Sequence, residues 1–171
     1  MEKSKYDPAL FYWRRNGSCQ GIVCVHVDDF LSVGTNDFEM LVLKKLGSNF
    51  LIGSTETGIF KYLGHRIQEW KNGITLDQVH YAALLKPIDI SKQRSTNKSS
   101  ELSDKEKKEY RTAVGQLGWI AKSTRSDIAF DVCELSVAFT RATVNDLLKL
   151  NKVIFKVSSD HLQLYFPKYF R

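Results

Sequence analysis

Two adjacent aspartates, Asp28 and Asp29, interrupt an apolar run rich in β-branched residues. Such a run favours a buried strand, and an unpaired carboxylate is costly to bury, so the two acids must lie at a hydrated turn or be neutralised. The sequence therefore predicts a β-hairpin with strands over 21–27 and 30–34 and with both aspartates at its tip. Two carboxylates on a rigid tip supply the oxygen ligands that a hard cation such as Mg²⁺ prefers.

The first 90 residues are predicted to be rich in strands. The dipeptides Asn16-Gly17 and Asn72-Gly73 are typical of tight turns between neighbouring strands. Asn36, with Glu39 three residues later and Gly47 as the stop, predicts a helix over 36–46. The remaining predicted elements are strands over 9–15, 59–70 and 74–76 and a short helix over 78–86.

Beyond residue 103 the apolar spacing becomes helical. Residues 91–103 are rich in Ser, Lys and Asn and predict a polar linker, after which Ser103 and Glu106 predict a capping box. The sequence as a whole predicts an α+β chain in which a strand-rich part precedes a helical part. Three apolar stripes at helical spacing carry the helical prediction: Tyr110, Ala113, Val114, Leu117 and Ala121; Ile128, Val132, Leu135 and Phe139; and Leu147, Leu150, Ile154 and Val157.

Composition narrows the class of protein. The 171 residues, 43% hydrophobic and 26% charged, are typical of a globular protein with one domain or two small ones. No apolar run is long enough to span a bilayer, and none follows the charged N-terminus as in a signal peptide. The three cysteines are odd in number and lack metal-ligand spacing, which favours a cytoplasmic or nuclear location over secretion. The net charge of +6 is compatible with a polyanionic partner.

The Asp-Asp hairpin resembles the aromatic-x-Asp-Asp hairpin of reverse transcriptases, and more narrowly that of copia-type retrotransposon polyproteins. Further segments are similar to the same branch and follow in the family's order, so that the resemblance extends from about Ser4 to Val157. These segments are SKYDPALFY at 4–12, FKYLGHRI at 60–67, GITLDQ at 73–78 with Tyr81, YRTAVGQL at 110–117 and TRSDIA at 124–129.

This resemblance implies a partial palm, an antiparallel sheet with the hairpin, followed by a helical thumb-like part. The implied division is a palm over 1–90, a linker over 91–103, a thumb and connection over 104–157 and a tail over 158–171. The family's site needs a further aspartate from an upstream strand, which belongs before residue 1. We therefore expect a fragment of an RNA-directed DNA polymerase that does not polymerise alone, with an unpaired sheet edge that allows self-association.

The same resemblance implies that Asp28 is the main ligand of Mg²⁺ in templated nucleotide addition and Asp29 its weaker companion. The alternative is an ordinary acidic turn, because Asp is a common turn residue. His26 stands where the family usually carries tyrosine. It is either a platform beneath the primer end or a strand residue that packs at the sheet face.

Two segments are expected to contact a template–primer duplex of RNA or DNA. The segment 60–67 corresponds to the family's primer-steadying hairpin, and the helix after the linker corresponds to a thumb helix that follows the duplex. The alternatives are a solvated strand face and an exposed helix face paired with Glu106 and Glu109. For the chain as a whole, the alternatives to a polymerase fragment are a non-enzymatic nucleic-acid-binding module and an inert transposon relic. The implied contact residues are Lys61, Leu63, Gly64, His65 and Arg66, and then Lys105, Lys108 and Arg111.

Overall fold

The structure is a computed structural model that describes residues 1–168. Within these residues the chain is mixed α+β, with two antiparallel four-stranded sheets and several helices, so the predicted class is confirmed at this level. The chain groups into two compact units, residues 1–56 and a second unit that begins at Thr57. Residues 57–90, which the resemblance assigns to the palm, therefore group with the helices. None of the helices in the described range has both the length and the apolar character needed to cross a membrane.

The first unit is a four-stranded meander followed by a helical segment. Its strands pair in chain order: β1 (Glu2–Lys3), β2 (Leu10–Arg15), β3 (Ser18–His26) and β4 (Asp29–Gly34). The helical segment runs from α1 (Asn36–Phe38) through a π-helical turn (Glu39–Leu43) to α2 (Lys44–Asn49). The three predicted strands are confirmed. The predicted helix continues beyond its expected end to Asn49, and its N-terminal cap is Thr35 instead of Asn36.

Phe38 anchors the helical segment to the first sheet. Its buried ring lies against Gly21 and Gly34, which face each other in the β3–β4 register, and against Trp13 with ring centroids 6.1 Å apart. A Cβ on either glycine would collide with this ring, so the ring fills the room that the two glycines leave. Burial of such an aromatic side chain stabilises the unit by about 1.5–3 kcal/mol.

The edge of this sheet bears on the expected self-association. β4 is an edge strand, because β3 is its one strand partner among residues 1–168. The exposed side chains of Phe30 and Val33 lie on this strand, and it contains neither Lys nor Pro, which commonly protect edges. Self-association through this edge therefore stays a prediction.

The second unit has its own antiparallel sheet, in the order β5 (Ile59–Tyr62), β6 (His65–Trp70), β7 (Gly73–Asp77) and β8 (Leu164–Pro167). The single strand predicted over 59–70 is wrong, because the chain turns at Leu63 and Gly64, which have φ values of 49° and 77°. Glycine favours this conformation but leucine does not, so the sequence carries only half of the usual turn signal. β8 lies within the expected tail, whose last three residues fall outside the described range.

The helices of the second unit share one apolar core. They are α3 (Val79–Ala82), α4 (Lys92–Thr96), α5 (Asp104–Ser123), α6 (Ala129–Val137) and α7 (Val144–Ser159), with a 3-10 turn at Ser126–Ile128. All three predicted stripes lie in this core, with Phe139 packed at its margin. Of the short helix predicted over 78–86, only α3 is formed. At its start, the backbone N–H of Val79 donates to Asp77 Oδ1 at 3.0 Å.

The segment expected to be a linker is folded against the start of α5. Arg94 donates from Nε and Nη2 to the two carboxylate oxygens of Glu106 at 2.9 and 2.7 Å, and Leu102 is buried in the core. The predicted capping box is confirmed, because Glu106 accepts from the Ser103 backbone N–H at 2.7 Å while Ser103 Oγ accepts from that of Glu106. One carboxylate thus caps α5 and holds α4 beside it.

We predict that Glu106 contributes an acid-sensitive part of the stability. Hydrogen bonds from Arg94 are the main reason why the pKa of Glu106 falls to about 2 from its ordinary value of 4.5. A lowered carboxyl pKa stabilises the fold above pH 4.5, and this stabilisation is lost as the pH falls toward 2. Glu106→Gln should lower the free energy of unfolding by about 1–2 kcal/mol at pH 7 and remove that part of the acid dependence.

The measurement is thermal unfolding followed by circular dichroism at 222 nm between pH 2 and 7. Glu109→Gln is the matched control, because Glu109 forms only a loose surface pair with Lys105 at 3.9 Å. Identical pH profiles for the wild-type chain and Glu106→Gln would contradict the assignment.

Candidate metal ligands and nucleic-acid interface

Asp28 and Asp29 lie at the end of the β3–β4 hairpin, as the sequence predicts, with the turn shifted by one residue. His26 pairs with Asp29 in the strand register, so Val27 and Asp28 form the turn. Both aspartates are exposed. In the described part of the chain their carboxylates take part in no hydrogen bond or ion pair that would occupy them. Their oxygens are therefore accessible to a ligand from solvent.

The turn itself is strained. Val27 has a φ of 54°, a left-handed conformation that costs a residue with a Cβ roughly 1–2 kcal/mol and is a clear outlier for a β-branched one. Its side chain is 82% exposed, so burial does not offset this cost. The Asn16-Gly17 turn adopts positive φ with residues that suit it. Strain of this kind is concentrated at functional sites, which makes the tip a candidate site.

The two aspartates fit a magnesium ion chemically. Mg²⁺ is commonly held by one or two carboxylates, and water and phosphate oxygens complete its octahedral shell. Within residues 1–168, no group of three or more His, Cys, Asp or Glu side chains is arranged to hold a metal ion. His26 is exposed and faces the same side of the sheet as Asp29. The tip thus offers part of a cation site, which oxygens from another molecule would have to complete.

The residues predicted to contact a primer lie together on the β5–β6 hairpin. Lys61 is exposed and faces Arg66 across the strands, and Leu63 and Gly64 form the turn. Arg66 donates from Nε and Nη2 to Asp77 at 2.9 and 2.8 Å. Because Asp77 is only 1% exposed, this pair is structural, and loss of Arg66 would leave a buried charge unpaired. Lys61 is therefore the exposed cation of this hairpin.

The β5–β6 hairpin lies beside the C-terminal half of α5. The rings of His65 and Trp119 have centroids 5.6 Å apart, and a Cβ on Gly64 would lie 3.9 Å from Trp119 Nε1. Trp119 is 43% exposed and belongs to a row of exposed residues spaced alternately by three and four. We call this row the α5 stripe; it consists of Lys105, Lys108, Thr112, Gly115, Trp119 and Lys122.

The lysines of the α5 stripe are available for an anionic partner. The side chain of Lys105 is 87% exposed, and its pair with Glu109 at 3.9 Å is weak. Lys108 is exposed and forms no ion pair within residues 1–168. Glu106, one of the two acids expected to pair with the lysines of this helix face, is instead engaged by Arg94. Arg111 differs, because it donates from Nε and Nη2 to the Phe139 carbonyl at 3.2 and 2.9 Å and so supports the chain after α6.

Gly115 is a feature of the stripe that the sequence does not single out. A glycine within a helix is roughly 0.5–1 kcal/mol less favourable than alanine. Apart from its own chain neighbours and the neighbouring backbone of α5, no atom of the described residues lies within 4 Å of the position that its Cβ would take, so packing among these residues does not require glycine. A bare backbone at an exposed helix position permits close approach by another molecule. The contact between Trp119 and His65 was also not predicted, because it joins elements far apart in sequence.

Charge is unevenly distributed between the two units. Residues 57–171 contain 19 of the 25 Lys and Arg residues but 12 of the 19 Asp and Glu residues, whereas residues 1–56 have a slight acidic excess. The positive net charge therefore resides in the second unit. A cationic unit with lysines along one exposed helix face has the electrostatic character of a nucleic-acid-binding surface.

Comparison with known proteins found no matching family model, curated protein or solved structure. The resemblance to copia-type reverse transcriptases therefore stays a prediction. The structure brings Asp28 and Asp29 together with His26 at one hairpin tip in the first unit. In the second unit it places the β5–β6 hairpin beside the α5 stripe.

Backbone strain at the hairpin tip leads to a stability prediction. Val27→Gly should raise the free energy of unfolding of the first unit by about 0.5–1 kcal/mol, because relief of the left-handed strain exceeds the entropy cost of glycine. Asn16→Gly is the matched control and should bring no such gain, since asparagine tolerates positive φ. Urea unfolding, followed by the NMR signal of the Trp13 indole, measures the free energy of unfolding of both variants. A loss of stability in Val27→Gly would show that the turn is not strained.

Proposed function

We propose that the second unit binds a nucleic-acid duplex along the α5 stripe and the adjoining β5–β6 hairpin. We further propose that the chain is a fragment of the RNA-directed DNA polymerase of a copia-type retrotransposon, so that the duplex is a template–primer. The observation that carries the proposal is Gly115, an exposed and unpacked helix glycine between Lys108 and Trp119. We assign duplex binding to this chain by itself, without a further subunit. Nucleotide addition is assigned only to an assembly that supplies further metal ligands.

The dimensions of α5 support contact with several phosphates. With a rise of 1.5 Å per residue, the stripe from Lys105 to Lys122 is about 25 Å long. Lysines stand at both ends of this length, and Lys61 adds an exposed cation on the hairpin. Lysines that replace counterions along a duplex give sequence-independent affinity that decreases steeply with salt.

The middle of the stripe suits the surface of a duplex. Thr112 and Gly115 present a small side chain and a bare backbone, which allow a sugar–phosphate edge to come close. Trp119, in contact with His65, presents a partly exposed aromatic surface next to them. A-form duplexes have a wide, shallow minor groove that proteins recognise mainly by shape. A flat helix face of this kind therefore fits an RNA–DNA template–primer.

Asp28 and Asp29 are the proposed Mg²⁺ ligands. A bound Mg²⁺ would neutralise phosphate charge and orient a phosphoryl group for in-line displacement. Both carboxylates are exposed at the hairpin tip next to the strained Val27 turn, and His26 faces the same side as Asp29. A binding module without metal chemistry is the second candidate. Such a module would use the same α5 surface. If this second candidate is correct, addition of Mg²⁺ leaves the NMR signals of Asp28 and Asp29 unchanged.

The charge of the stripe is tested by the salt dependence of duplex binding. Lys105→Ala/Lys108→Ala should weaken binding of an RNA–DNA duplex and reduce the slope of log K against log salt by about 2. Fluorescence anisotropy of a labelled duplex measures both quantities. Lys71→Ala/Lys86→Ala removes two exposed lysines of the same unit outside the stripe and should leave the slope nearly unchanged. Equal slopes in the two double variants would refute the assignment.

Gly115→Ala tests close approach separately from charge. Alanine should raise the free energy of unfolding by about 0.5–1 kcal/mol, because open space surrounds this position and alanine favours a helix. The same methyl group should weaken duplex binding about tenfold, equivalent to 1.4 kcal/mol. Thermal unfolding and anisotropy measure the two effects on one preparation. A variant that is more stable and binds the duplex as tightly as the wild-type chain would contradict a contact at Gly115.

A further inference from the structure

The helical segment of the first unit, from α1 to α2, has an apolar side that faces solvent. Phe38 is buried against the sheet, and Leu43 and Leu46 are half-buried. Met40 and Leu41 are instead 54% and 55% exposed. Both belong to the π-helical turn, which holds one residue more than an α-helical turn and so presents two adjacent apolar residues to solvent. Turns of this kind are frequent at functional sites.

Three further exposed apolar residues follow the helical segment. Leu51 is fully exposed, and Phe50 and Ile52 are about half exposed. The Phe50 backbone N–H donates to the Leu46 carbonyl at 2.9 Å, so the chain stays beside α2 as it leaves the helix. Ile52 Cδ1 lies 3.6 Å from the position that a Cβ on Gly47 would take. We call the exposed apolar residues of this region the helix patch; they are Met40, Leu41, Phe50, Leu51 and Ile52.

The helix patch has the size of an interaction surface. Its five side chains expose on the order of 500 Å² of apolar area, and exposed apolar patches above a few hundred Å² commonly mark interfaces. Each subunit of a standard protein interface buries about 800 Å². The helix patch therefore supplies most of the area that a stable dimer needs, and the polar residues at its margin supply the remainder.

The charges along the helical segment identify a second copy of the chain as the partner. Glu39 begins the π-helical turn, and Lys44 and Lys45 follow it. All three are exposed, and none forms an ion pair within residues 1–168, whereas Asp37 pairs with Arg15 at 2.7 Å. Two such segments packed antiparallel bring Glu39 of each copy next to the two lysines of the other. A parallel arrangement would instead place like charges together.

Antiparallel packing also agrees with two-fold symmetry. In a symmetric dimer the same surface of both copies meets, so that each contact occurs twice. Leu41 lies between Glu39 and Lys44 along the segment and is therefore close to the two-fold axis. There it packs against Leu41 of the second copy, with the two charge contacts on either side of it.

We propose that the helix patch joins two copies of this chain into a two-fold dimer with antiparallel helical segments. The interface uses the helical side of the first unit and is separate from the edge of β4. It also lies outside the second unit, to which duplex binding is assigned, so each proposal can fail without the other.

The experiment is sedimentation velocity of the full chain at increasing concentration. The sedimentation coefficient should rise from that of a monomer to that of a dimer, with a Kd on the order of 10 μM. Leu41→Glu should raise this Kd more than tenfold, because it places a carboxylate beside its own counterpart in an apolar contact. Circular dichroism should show that the fold is unchanged, since Leu41 is exposed.

Charge exchange tests the antiparallel arrangement without removing an apolar residue. Glu39→Lys and Lys44→Glu/Lys45→Glu should each raise the Kd about tenfold, because each brings like charges together at both ends of the interface. An equimolar mixture of these two variants should regain the affinity of the wild-type chain, because opposite charges meet again in the mixed dimer.

Two matched variants separate the helix patch from other exposed apolar surfaces. Phe130→Glu changes a residue of α6 that is 80% exposed, and Val33→Lys places a charge on the edge strand β4. Neither substitution should change the Kd.

A chain that remains monomeric at about 300 μM would overturn the proposal. A dimer that survives Leu41→Glu but is lost in Val33→Lys or Phe130→Glu would assign the interface to the β4 edge or to α6 and would equally overturn it. Charge-exchange variants that each dimerise as tightly as the wild-type chain would rule out the antiparallel arrangement.

Discussion

A buried carboxylate determines the arrangement of the second unit. Asp77 ends β7, accepts from the guanidinium of Arg66 on β6 and accepts from the backbone N–H of Val79 at the start of α3. Because a buried charge without a partner is strongly destabilising, these contacts fix two strands and a helix relative to one another. They also engage Arg66 and leave Lys61 as the exposed cation of the β5–β6 hairpin.

This arrangement brings the turn of the β5–β6 hairpin next to α5. His65 follows the turn directly and contacts Trp119, so that the stripe and the hairpin belong to one surface of the unit. α5 itself is held by its opposite face, whose apolar residues are buried in the core, and at its start by Glu106. A helix anchored in this way exposes its remaining face at low conformational cost. That face carries lysines and a glycine that packing does not require.

Features that depend on local sequence could be predicted, and those that depend on distant partners could not. An apolar, β-branched run interrupted by two aspartates predicted the Asp-Asp hairpin. Helical apolar spacing predicted the three core stripes, and the Ser103–Glu106 pair predicted the start of α5. The residue pattern missed the turn at Leu63–Gly64, inside the hairpin that the resemblance implies over 60–67, because strand pairing holds a leucine in a conformation that it rarely adopts alone. The polar segment 91–103 looked like a linker because its main partner, Glu106, lies beyond it. Likewise, β8 pairs with a strand some ninety residues earlier in the chain.

The most direct test of the central claim is the NMR signal of the Trp119 indole during titration of the full chain with an RNA–DNA duplex. The account predicts a saturable shift of this signal and of the Gly115 backbone amide, with the same apparent affinity that anisotropy reports. The Trp13 indole serves as the internal reference, because Trp13 belongs to the first unit and lies neither on α5 nor on the β5–β6 hairpin. Saturable duplex binding that leaves the Trp119 and Gly115 signals unmoved would contradict the account.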